Sequence, residues 1–418
     1  MKLFSSMSRM FITLAALVFA WNSPVCALTH IVSEPGASGP TLQQVLDSAS
    51  PGDTIRVSGK WKGNFSMPVS VTLLSNGGEI DAEQSGIVLR ILAPNVVVEG
   101  LSLRGSGDDL RGPDSGIWVG PDATRAVLRG NTIDDCAFGI WVHETVGARV
   151  VGNAVFGRKD VHPSNRGNGI HLFDCDSTLV SGNHIVGARD GIYISATENS
   201  VFEENLCEEQ RFGVHYMFSH GNTLRNNTAR NNKHGFALMQ SSDMVVEGNY
   251  ASGSKGHGIL FRDAQRCIIR NNELVDNAEG LFFYSSTENE IYDNLMQGNK
   301  VGAKIWAGTL RNEIYRNHFV GNEQQVFYVS SSDLIVGEGG HGNYWSDYLG
   351  WDQDGDGTGD RPYRVDSFTS NLLYRFPSTA VLLRSPALEL LSHLQATMPL
   401  LKTSTMIDQS PLTARPTR

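Results

Sequence analysis

The chain has 418 residues, of which 40% are hydrophobic and 19% charged, and its formal net charge is −10. This is ordinary globular composition, ample for a large core. The sequence has no basic stripe or long Lys/Arg run, which argues against nucleic acid as a partner.

The N-terminal segment has the features of an export signal. Lys2 and Arg9 are cationic, and the apolar run MFITLAALVFAW is too short to span a bilayer comfortably. Val25 and Ala27 occupy the small-residue positions of a signal-peptidase site, so we expect a signal peptide at 1–27, cleaved after Ala27. The alternative is an uncleaved anchor. The mature chain is expected to be exported.

A short amphipathic helix is expected next, over TLQQVLDSA at 41–49. Thr41 and Gln44 form a capping-box pattern, and SPGD then turns the chain into a strand. The ends of a stacked β-structure expose unpaired edges. We therefore expect this helix to cap the N-terminal end of the repeat that follows.

The central part of the chain is a repeat. A Gly-apolar-x-apolar segment recurs with a period of about 22 residues, and an asparagine recurs in step. The segments are short, β-branched and bounded by turn residues. They predict an all-β chain folded as a right-handed parallel β-helix, from about residue 30 to about residue 340, with the asparagines stacked at one corner. The glycines are Gly116, Gly139, Gly169, Gly191, Gly213, Gly235, Gly258, Gly280 and Gly302, and the asparagines are Asn131, Asn153, Asn183, Asn205, Asn227, Asn249, Asn272, Asn294 and Asn317.

The strands after the repeat glycines have two different faces, because strand side chains alternate. The first and third positions after each glycine are apolar and should line the interior, as Ile192 and Ile194 do. The second and fourth positions should face outward, yet they hold aromatic rings, His and Met. Such a surface usually marks a binding site or partner interface; the alternative is that a loop covers it. Its expected partner-facing aromatic residues are Trp118, Trp141, Phe173, Tyr193, Phe282, Tyr284 and Trp306.

A soft metal site is predicted on this outward surface. His215 and Met217 lie two residues apart in one strand, and Met239 follows Met217 by one repeat. Neighbouring strands are about 4.8 Å apart, so two thioethers and an imidazole can converge. This donor set favours Cu(I) over magnesium or calcium. We expect transient Cu(I) binding there, with His171 and His143 nearby.

Two other features bear on this part of the chain. Insertions of about eight residues precede Gly116 and Gly169, and in repeat folds insertions emerge as loops, often beside the binding surface. Four cysteines remain after cleavage and are too sparse to form a disulfide framework. Cys207 and Cys267 fall in apolar columns of the repeat, which favours buried free thiols.

Two segments carry a family resemblance: RFGVHYMFSHGNTLRNN at 211–227 and GNYWSDYLGWDQDGDGTGDRPYR at 342–364. With the preceding coils, they resemble the NosD family of periplasmic nitrous-oxide-reductase maturation proteins over nearly the whole mature chain. The resemblance implies a periplasmic β-helix that stands on an ABC transporter made of an ATPase and a membrane subunit. It also implies work with a copper-chaperone lipoprotein to assemble the copper–sulfur centre of nitrous oxide reductase. Whether copper, sulfur or both are handled stays open.

The second segment contains a carboxylate loop. Asp352, Asp354 and Asp356 are followed by Asp360, and the first half of the loop matches an EF-type calcium loop. The twelfth position is Tyr363 rather than Glu, so the bidentate ligand is missing. A calcium site and a bare Gly/Asp turn are both open interpretations. The flanking aromatic residues are expected to pack this loop over the end of the β-helix.

The repeat ends before the last forty residues, so we place the β-helix with its end caps at 28–378 and a C-terminal segment at 379–418. Residues 385–402 have an apolar stripe at roughly helical spacing. A helix with this pattern suits a groove of another protein, and Leu388, Leu391 and Leu394 are expected to dock on the membrane subunit of the transporter. The alternative is an end cap. Residues 403–418 are expected to form a flexible tail.

The rival function is a polysaccharide lyase, hydrolase or epimerase on the same fold. Such an enzyme needs paired carboxylates, or a carboxylate with Lys, Arg or His, along its groove. The second and fourth positions hold no Asp or Glu, and their cations are Lys304 and Arg262. We therefore expect a protein that is not an enzyme.

Overall fold

The structure is a computed structural model that describes residues 27–33, 40–306, 308–365, 372, 376–382, 385–397 and 404–415. Apart from Ala27, the expected signal peptide lies outside these residues. No helix within the described ranges is long and apolar enough to cross a membrane.

The chain forms a parallel β-helix, as the repeat predicts. Each coil contributes one strand to a 12-stranded sheet, here called the glycine sheet, and two strands to a 24-stranded sheet, here called the long sheet. The strands of the glycine sheet are Phe65–Met67, Leu89–Ile91, Ser115–Val119, Phe138–His143, Ile170–Phe173, Asp190–Ser195, Phe212–Met217, His234–Met239, His257–Arg262, Glu279–Tyr284, Val301–Ile305 and Gln324–Tyr328. Those of the long sheet are Thr29–Val32, Thr54–Lys62, Thr72–Asp81, Val97–Glu99, Ser102–Arg104, Val127–Arg129, Thr132–Cys136, Arg149–Val151, Ala154–Gly157, Leu179–Ser181, His184–Val186, Val201–Glu203, Leu206–Glu208, Thr223–Arg225, Thr228–Arg230, Val245–Glu247, Tyr250–Ser252, Ile268–Arg270, Glu273–Val275, Glu290–Tyr292, Leu295–Gln297, Glu313–Tyr315, His318–Val320 and Tyr344–Trp345.

The interior is filled by the positions that the alternation predicts. Ile192 and Ile194, for example, are both 0% exposed. The repeat glycines let one coil approach the next. A Cβ added to Gly235 would lie 2.4 Å from the carbonyl oxygen of Gly258 and 2.9 Å from Cβ of Ala251. Any side chain there would collide with backbone, which explains why glycine leads the strand.

The predicted asparagine ladder is present at one corner. Asn205 is typical: its backbone N–H and its side-chain amide both donate to Oδ1 of Asn227, at 3.0 and 2.9 Å. The same amide donates to the carbonyl oxygen of Val180 at 3.0 Å. The buried amide of each such asparagine thereby has hydrogen-bond partners, which removes the free-energy penalty of burying it. The ladder continues past the predicted members to Asn343, whose Oδ1 accepts from the backbone of Asn317.

The N-terminal end is covered by helix α1 (Leu42–Ser48), as expected. The capping box is formed: Oγ1 of Thr41 accepts from the backbone of Gln44 at 3.2 Å, and Oε1 of Gln44 accepts from the backbone of Thr41 at 2.8 Å. Leu42 and Leu46 are fully buried. The Gln43 side chain also exchanges two hydrogen bonds with the backbone of Ser66 in the first strand of the glycine sheet. The helix is thus fixed onto the first coil.

The C-terminal end is closed by the chain's own last residues, which corrects the expected flexible tail. Met406–Asp408 forms a three-stranded sheet with Leu334–Val336 and Tyr363–Arg364. The carboxylate of Asp408 is buried and accepts from Asn343 and Trp345. The tail is ordered because it supplies the acceptor that ends the asparagine ladder.

The aromatic segment before the Asp loop packs over this end, as predicted. Trp345 lies between two rings, stacked on Phe319 with centroids 4.3 Å apart and on Tyr363 with centroids 4.4 Å apart. Three short 3-10 helices complete the described elements, at Pro163–Asn165, Glu338–Gly340 and Pro377–Leu382.

The C-terminal helix α2 spans Pro386–Thr397, within the expected 385–402; the expected remainder lies outside the described residues. Leu388 is 5% exposed and Leu391 is 41% exposed, while Leu394 is half-buried. The expected docking surface therefore needs correction. Leu388 is already buried within the chain, which leaves Leu391 and part of Leu394 to meet another protein.

The four cysteines of the described chain are free and buried, as the repeat predicts. Burial raises the pKa of Cys136 to about 12 and that of Cys175 to about 11. Because the thiolate is the reactive and metal-binding form, these side chains are inert packing groups.

Candidate functional site

The second and fourth positions of the glycine sheet form a continuous outward surface, here called the outer face. Most of its aromatic residues are half-buried because neighbouring rings cover one another, whereas Phe173 and Tyr284 are each 38% exposed. Trp141 stacks on His171 with centroids 4.4 Å apart. Farther along, Phe282 meets Trp306 edge to face at 5.6 Å. The surface is an array of stacked rings rather than a set of separate exposed side chains.

The sequence-based prediction did not identify a third column of outward side chains. It consists of the residue immediately before each repeat glycine, and its members touch the residues at the second position. The signal was present, since five successive members, from Asp190 to Glu279, are carboxylate, phenyl or imidazole side chains at the same period. Counting only forward from the glycine excluded them. The central members are Asp190, Phe212, His234, His257 and Glu279.

This third column supplies a buried carboxylate beside His215. Oδ2 of Asp190 lies 3.1 Å from Nδ1 of His215, and Nε and Nη2 of Arg211 donate to the same carboxylate at 2.8 and 2.5 Å. Burial alone would raise the pKa of Asp190, but the hydrogen bonds from His215 and Arg211 outweigh it, so the pKa is lowered. An ionised carboxylate can only accept hydrogen bonds. Nδ1 of His215 must therefore carry the proton.

The remaining nitrogen of His215 is available as a donor to a metal. Nε2 is buried and has no hydrogen-bond partner among the described residues. Histidine ligands of metals typically donate the other ring N–H to a carboxylate or carbonyl, which fixes the tautomer and raises the basicity of the ligating nitrogen. Asp190 is placed to do both for His215.

The two methionines lie in the same pair of adjacent strands as His215. Met217 is two residues after His215 in the same strand, and Met239 is its register partner in the next strand. Met239 packs against a small apolar cluster that includes Ala237, the register partner of His215. The structure thus places His215, Met217 and Met239 in one block of two adjacent strands, as the sequence predicts.

The other two expected copper residues lie elsewhere on the outer face. The ring of Tyr193 contacts both His171 and His215, at 4.9 and 5.2 Å, and stands between them. His143 stacks on Phe173 with centroids 5.5 Å apart. Burial, with the nearby charge of His143, lowers the pKa of His171 to about 4. The structure therefore does not gather the five residues into one centre: His143 and His171 belong to the aromatic array.

A stack of imidazole and phenyl rings continues along the third column. His234 lies between Phe212 and His257, with centroids 4.9 and 4.8 Å away. Nδ1 of His234 accepts from the backbone of His257 at 3.2 Å. Burial, and next the neighbouring His257, lowers the pKa of His234 from 6.5 to about 4. His234 is therefore a neutral packing group near neutral pH.

The pKa of His234 predicts acid sensitivity. Between pH 6.5 and 4 the imidazole of His234 binds a proton in the unfolded chain but stays neutral in the folded chain. The stability that His234 contributes is therefore fully present above about pH 6.5 and is lost as the pH falls towards 4. The loss is at most about 3 kcal/mol. His234→Gln should make the decline of the urea midpoint between pH 7 and pH 4 shallower. His184→Gln, on the long sheet, should leave the decline unchanged; equal slopes for wild type and His234→Gln would contradict the prediction.

A second carboxylate lies in the third column, whereas the second and fourth positions hold no Asp or Glu. Glu279 contacts Nδ1 of His257 at 2.5 Å and accepts from Nζ of Lys304 at 2.7 Å. Glu279 and Asp190 stand four strands apart in the third column, which is about 19 Å. Glycosidases hold their two carboxylates about 5 to 9.5 Å apart. These two groups therefore cannot act as such a pair on one glycosidic bond.

The two insertions emerge beside the outer face, as predicted. Leu110 of the first and Arg166 of the second line a cleft of about 220 Å³, together with Phe138, Tyr193 and Arg211 from the face itself. The insertions border the part of the glycine sheet that contains Asp190. Neither Met217 nor Met239 lines the cleft.

The Asp loop brings three of its four expected ligands together. Asp352, Asp354 and Asp356 each offer an oxygen within 4.8 Å of the others, and within the described chain no other group of three His, Cys, Asp or Glu does so. Asp360 instead accepts from the backbone of Gln353 at 2.7 Å. Asp352 itself accepts three backbone N–H groups, which lowers its pKa. Calcium remains a prediction for this loop, because oxygen-only ligands favour hard cations.

Comparisons with known proteins agree on one family. Residues 148–350 match the family model described as "Periplasmic copper-binding protein (NosD)". A "Probable ABC transporter binding protein NosD" of Pseudomonas aeruginosa is 38% identical over 376 residues, covering 86% of this chain and 87% of the relative. A protein of the same description from Stutzerimonas stutzeri is 37% identical, covering 86% of each.

Solved structures share the architecture. The catalytic domain of a GH87 alpha-1,3-glucanase has a TM-score of 0.52 at 11% identity, covering 70% of this chain and 65% of that one. A GH136 lacto-N-biosidase from Eubacterium ramulus has a TM-score of 0.52 at 13% identity, covering 71% and 68%. At such identities the likeness concerns the fold alone.

Proposed function

Since the chain belongs to the NosD family, we propose that it is a periplasmic accessory protein of an ABC transporter. Its cargo is copper, carried as Cu(I), for assembly of the copper centre of nitrous oxide reductase. The chain binds this copper transiently and performs no chemistry on it. The family description and the names of the relatives support the periplasmic, copper-binding and transporter parts of this proposal.

One observation supports the copper role more than any other. His215 presents a buried, unpartnered Nε2 while its Nδ1–H is held by the ionised Asp190, and Met217 follows it by two residues. An imidazole with two thioethers is a soft set that suits Cu(I). A site with few ligands also suits a carrier, because the ion must leave again.

The outer face offers a surface for protein partners. Its stacked rings, with Phe173 and Tyr284 the most exposed, have the aromatic character of an interface core. We propose that a copper-chaperone lipoprotein and nitrous oxide reductase meet the chain here. Leu391 and the exposed part of Leu394 in α2 remain for the membrane subunit of the transporter, whose ATPase subunit completes the complex.

A polysaccharide-degrading enzyme is the alternative function. The fold is shared with such enzymes, but fold does not decide function. The separation of Asp190 and Glu279 argues against a glycosidase pair, whereas each of these carboxylates does stand beside a cation and an imidazole, a grouping that a lyase or epimerase can use. We propose the non-enzymatic role because the named relatives are described as transporter binding proteins.

Anaerobic competition for Cu(I) tests the proposed function. The wild type should take Cu(I) from a chromogenic chelator, and the variant His215→Ala, Met217→Leu, Met239→Leu should lose at least about tenfold in affinity, since every proposed ligand is gone.

A matched control comes from the long sheet. There His184 pairs with Glu208 at 3.0 Å, an imidazole–carboxylate pair that lies away from the methionines. His184→Ala combined with Met244→Leu in the interior should bind Cu(I) like the wild type. If the triple variant also binds like the wild type, these residues are not the copper site.

A further inference from the structure

The cleft between the insertions shares Asp190 and Arg211 with the surroundings of His215, and its lining is strongly charged. Three arginines, Arg166, Arg189 and Arg211, line it together with one carboxylate, that of Asp190. The cleft is smaller than the roughly 300 Å³ at which drug-sized sites begin. It has room for a small molecule only, and its charge selects an anion.

The arginines differ in how much of their binding capacity is already used. Arg211 donates from Nε and Nη2 to Asp190, and Arg166 donates from Nε and Nη1 to the carbonyl oxygens of Val161 and Gly187. The side chain of Arg189 is exposed and has no ion-pair partner within the described ranges. Arg166 is thus held in place by two carbonyl oxygens and also interacts electrostatically with Asp160, whereas the guanidinium group of Arg189 is available to a ligand. Arginine forks match carboxylates in shape as well as in charge.

A buried amide at the cleft is a second, independent observation that points to a ligand. Asn168 is 7% exposed, and its Nδ2 lies 3.3 Å from Nδ1 of His171. Its Oδ1 has no hydrogen-bond partner among the described residues. Leaving a buried polar group unpaired is energetically unfavourable. A hydroxyl group on the ligand is the donor that would remove this penalty.

We propose that this cleft binds a small hydroxy-carboxylate with two negative charges. The guanidinium groups of Arg189 and Arg166 take the carboxylates, Asn168 accepts from the hydroxyl, and the rings of Phe138 and Tyr193 cover the carbon skeleton. The site takes a different ligand from copper, and Asp190, which borders the cleft, also holds His215.

Calorimetric titration of the full mature chain tests this proposal, with L-malate and succinate as probes at one ionic strength. The two acids differ by a hydroxyl. Malate should bind saturably and more tightly than succinate. Arg189→Gln should weaken malate binding about tenfold or more, as expected for one lost charge-assisted contact. Asn168→Ala should reduce the preference for malate over succinate.

Arg149→Gln is the matched control, because Arg149 is an exposed arginine on the long sheet, away from the cleft. It should bind malate like the wild type. If Arg149→Gln weakens malate as much as Arg189→Gln does, the effect is general charge attraction and the site is overturned. Absence of saturable binding of either acid, or equal affinity of the wild type for both, also overturns the proposal.

Discussion

Asp408→Ala should destabilise the C-terminal coils by about 1 to 3 kcal/mol for each buried donor that it leaves without an acceptor. Oδ2 of Asp408 accepts three hydrogen bonds, from the backbone and side chain of Asn343 at 2.7 and 3.0 Å and from Nε1 of Trp345 at 2.9 Å. Alanine would leave all three donors buried without an acceptor. Because coils contact only their neighbours, the loss should appear first as fraying at this end.

Hydrogen exchange resolves that fraying coil by coil. Amides of Asn317 and Asn343 should exchange much faster in Asp408→Ala, while those near Asn153 should change little. Asp333→Ala is the control: Asp333 accepts one exposed hydrogen bond, from the backbone of Thr405 at 2.9 Å. It should cost no more than about 1 kcal/mol. Unaltered protection near Asn343 in Asp408→Ala would contradict the capping role.

The repeat made the β-helix predictable from sequence, since both of its markers are local. Glycine recurs where a Cβ would collide with the next coil, and asparagine recurs where a buried amide can satisfy its neighbour. The closure of the C-terminal end was not predictable. Asp408 pairs with Asn343, 65 residues away, and nothing in the spacing of a non-repetitive segment reveals that contact.

The candidate site, too, was only partly predictable from the sequence. His215, Met217 and Met239 were found because period and alternation place them on adjacent strands. Asp190 was missed because the residue before the glycine was not counted as outward. His143 and His171 were assigned to the copper site because they also hold outward positions of nearby strands. Their partners turned out to be aromatic rings, and side-chain packing of that kind does not follow from strand register.

The Asp190–His215 pair gives the prediction with the most direct bearing on function. Asp190→Asn should lower the affinity for Cu(I) by about 10- to 100-fold, the usual effect of losing an outer hydrogen-bond partner of a ligating histidine. Asparagine keeps the size of the side chain but loses its charge, and its amide can donate to Nδ1 of His215. The proton would then move to Nε2, the nitrogen proposed to bind the metal.

The same competition assay measures this effect, with far-UV circular dichroism to confirm that each variant is folded. Glu208→Gln is the control, because it removes the carboxylate beside His184 on the long sheet and should leave Cu(I) affinity unchanged. If Asp190→Asn binds Cu(I) like the wild type while His215→Ala does not, the imidazole is a ligand without help from the carboxylate. In that case Asp190 serves only to balance the charge of Arg211, and the tautomer of His215 is set by the metal itself.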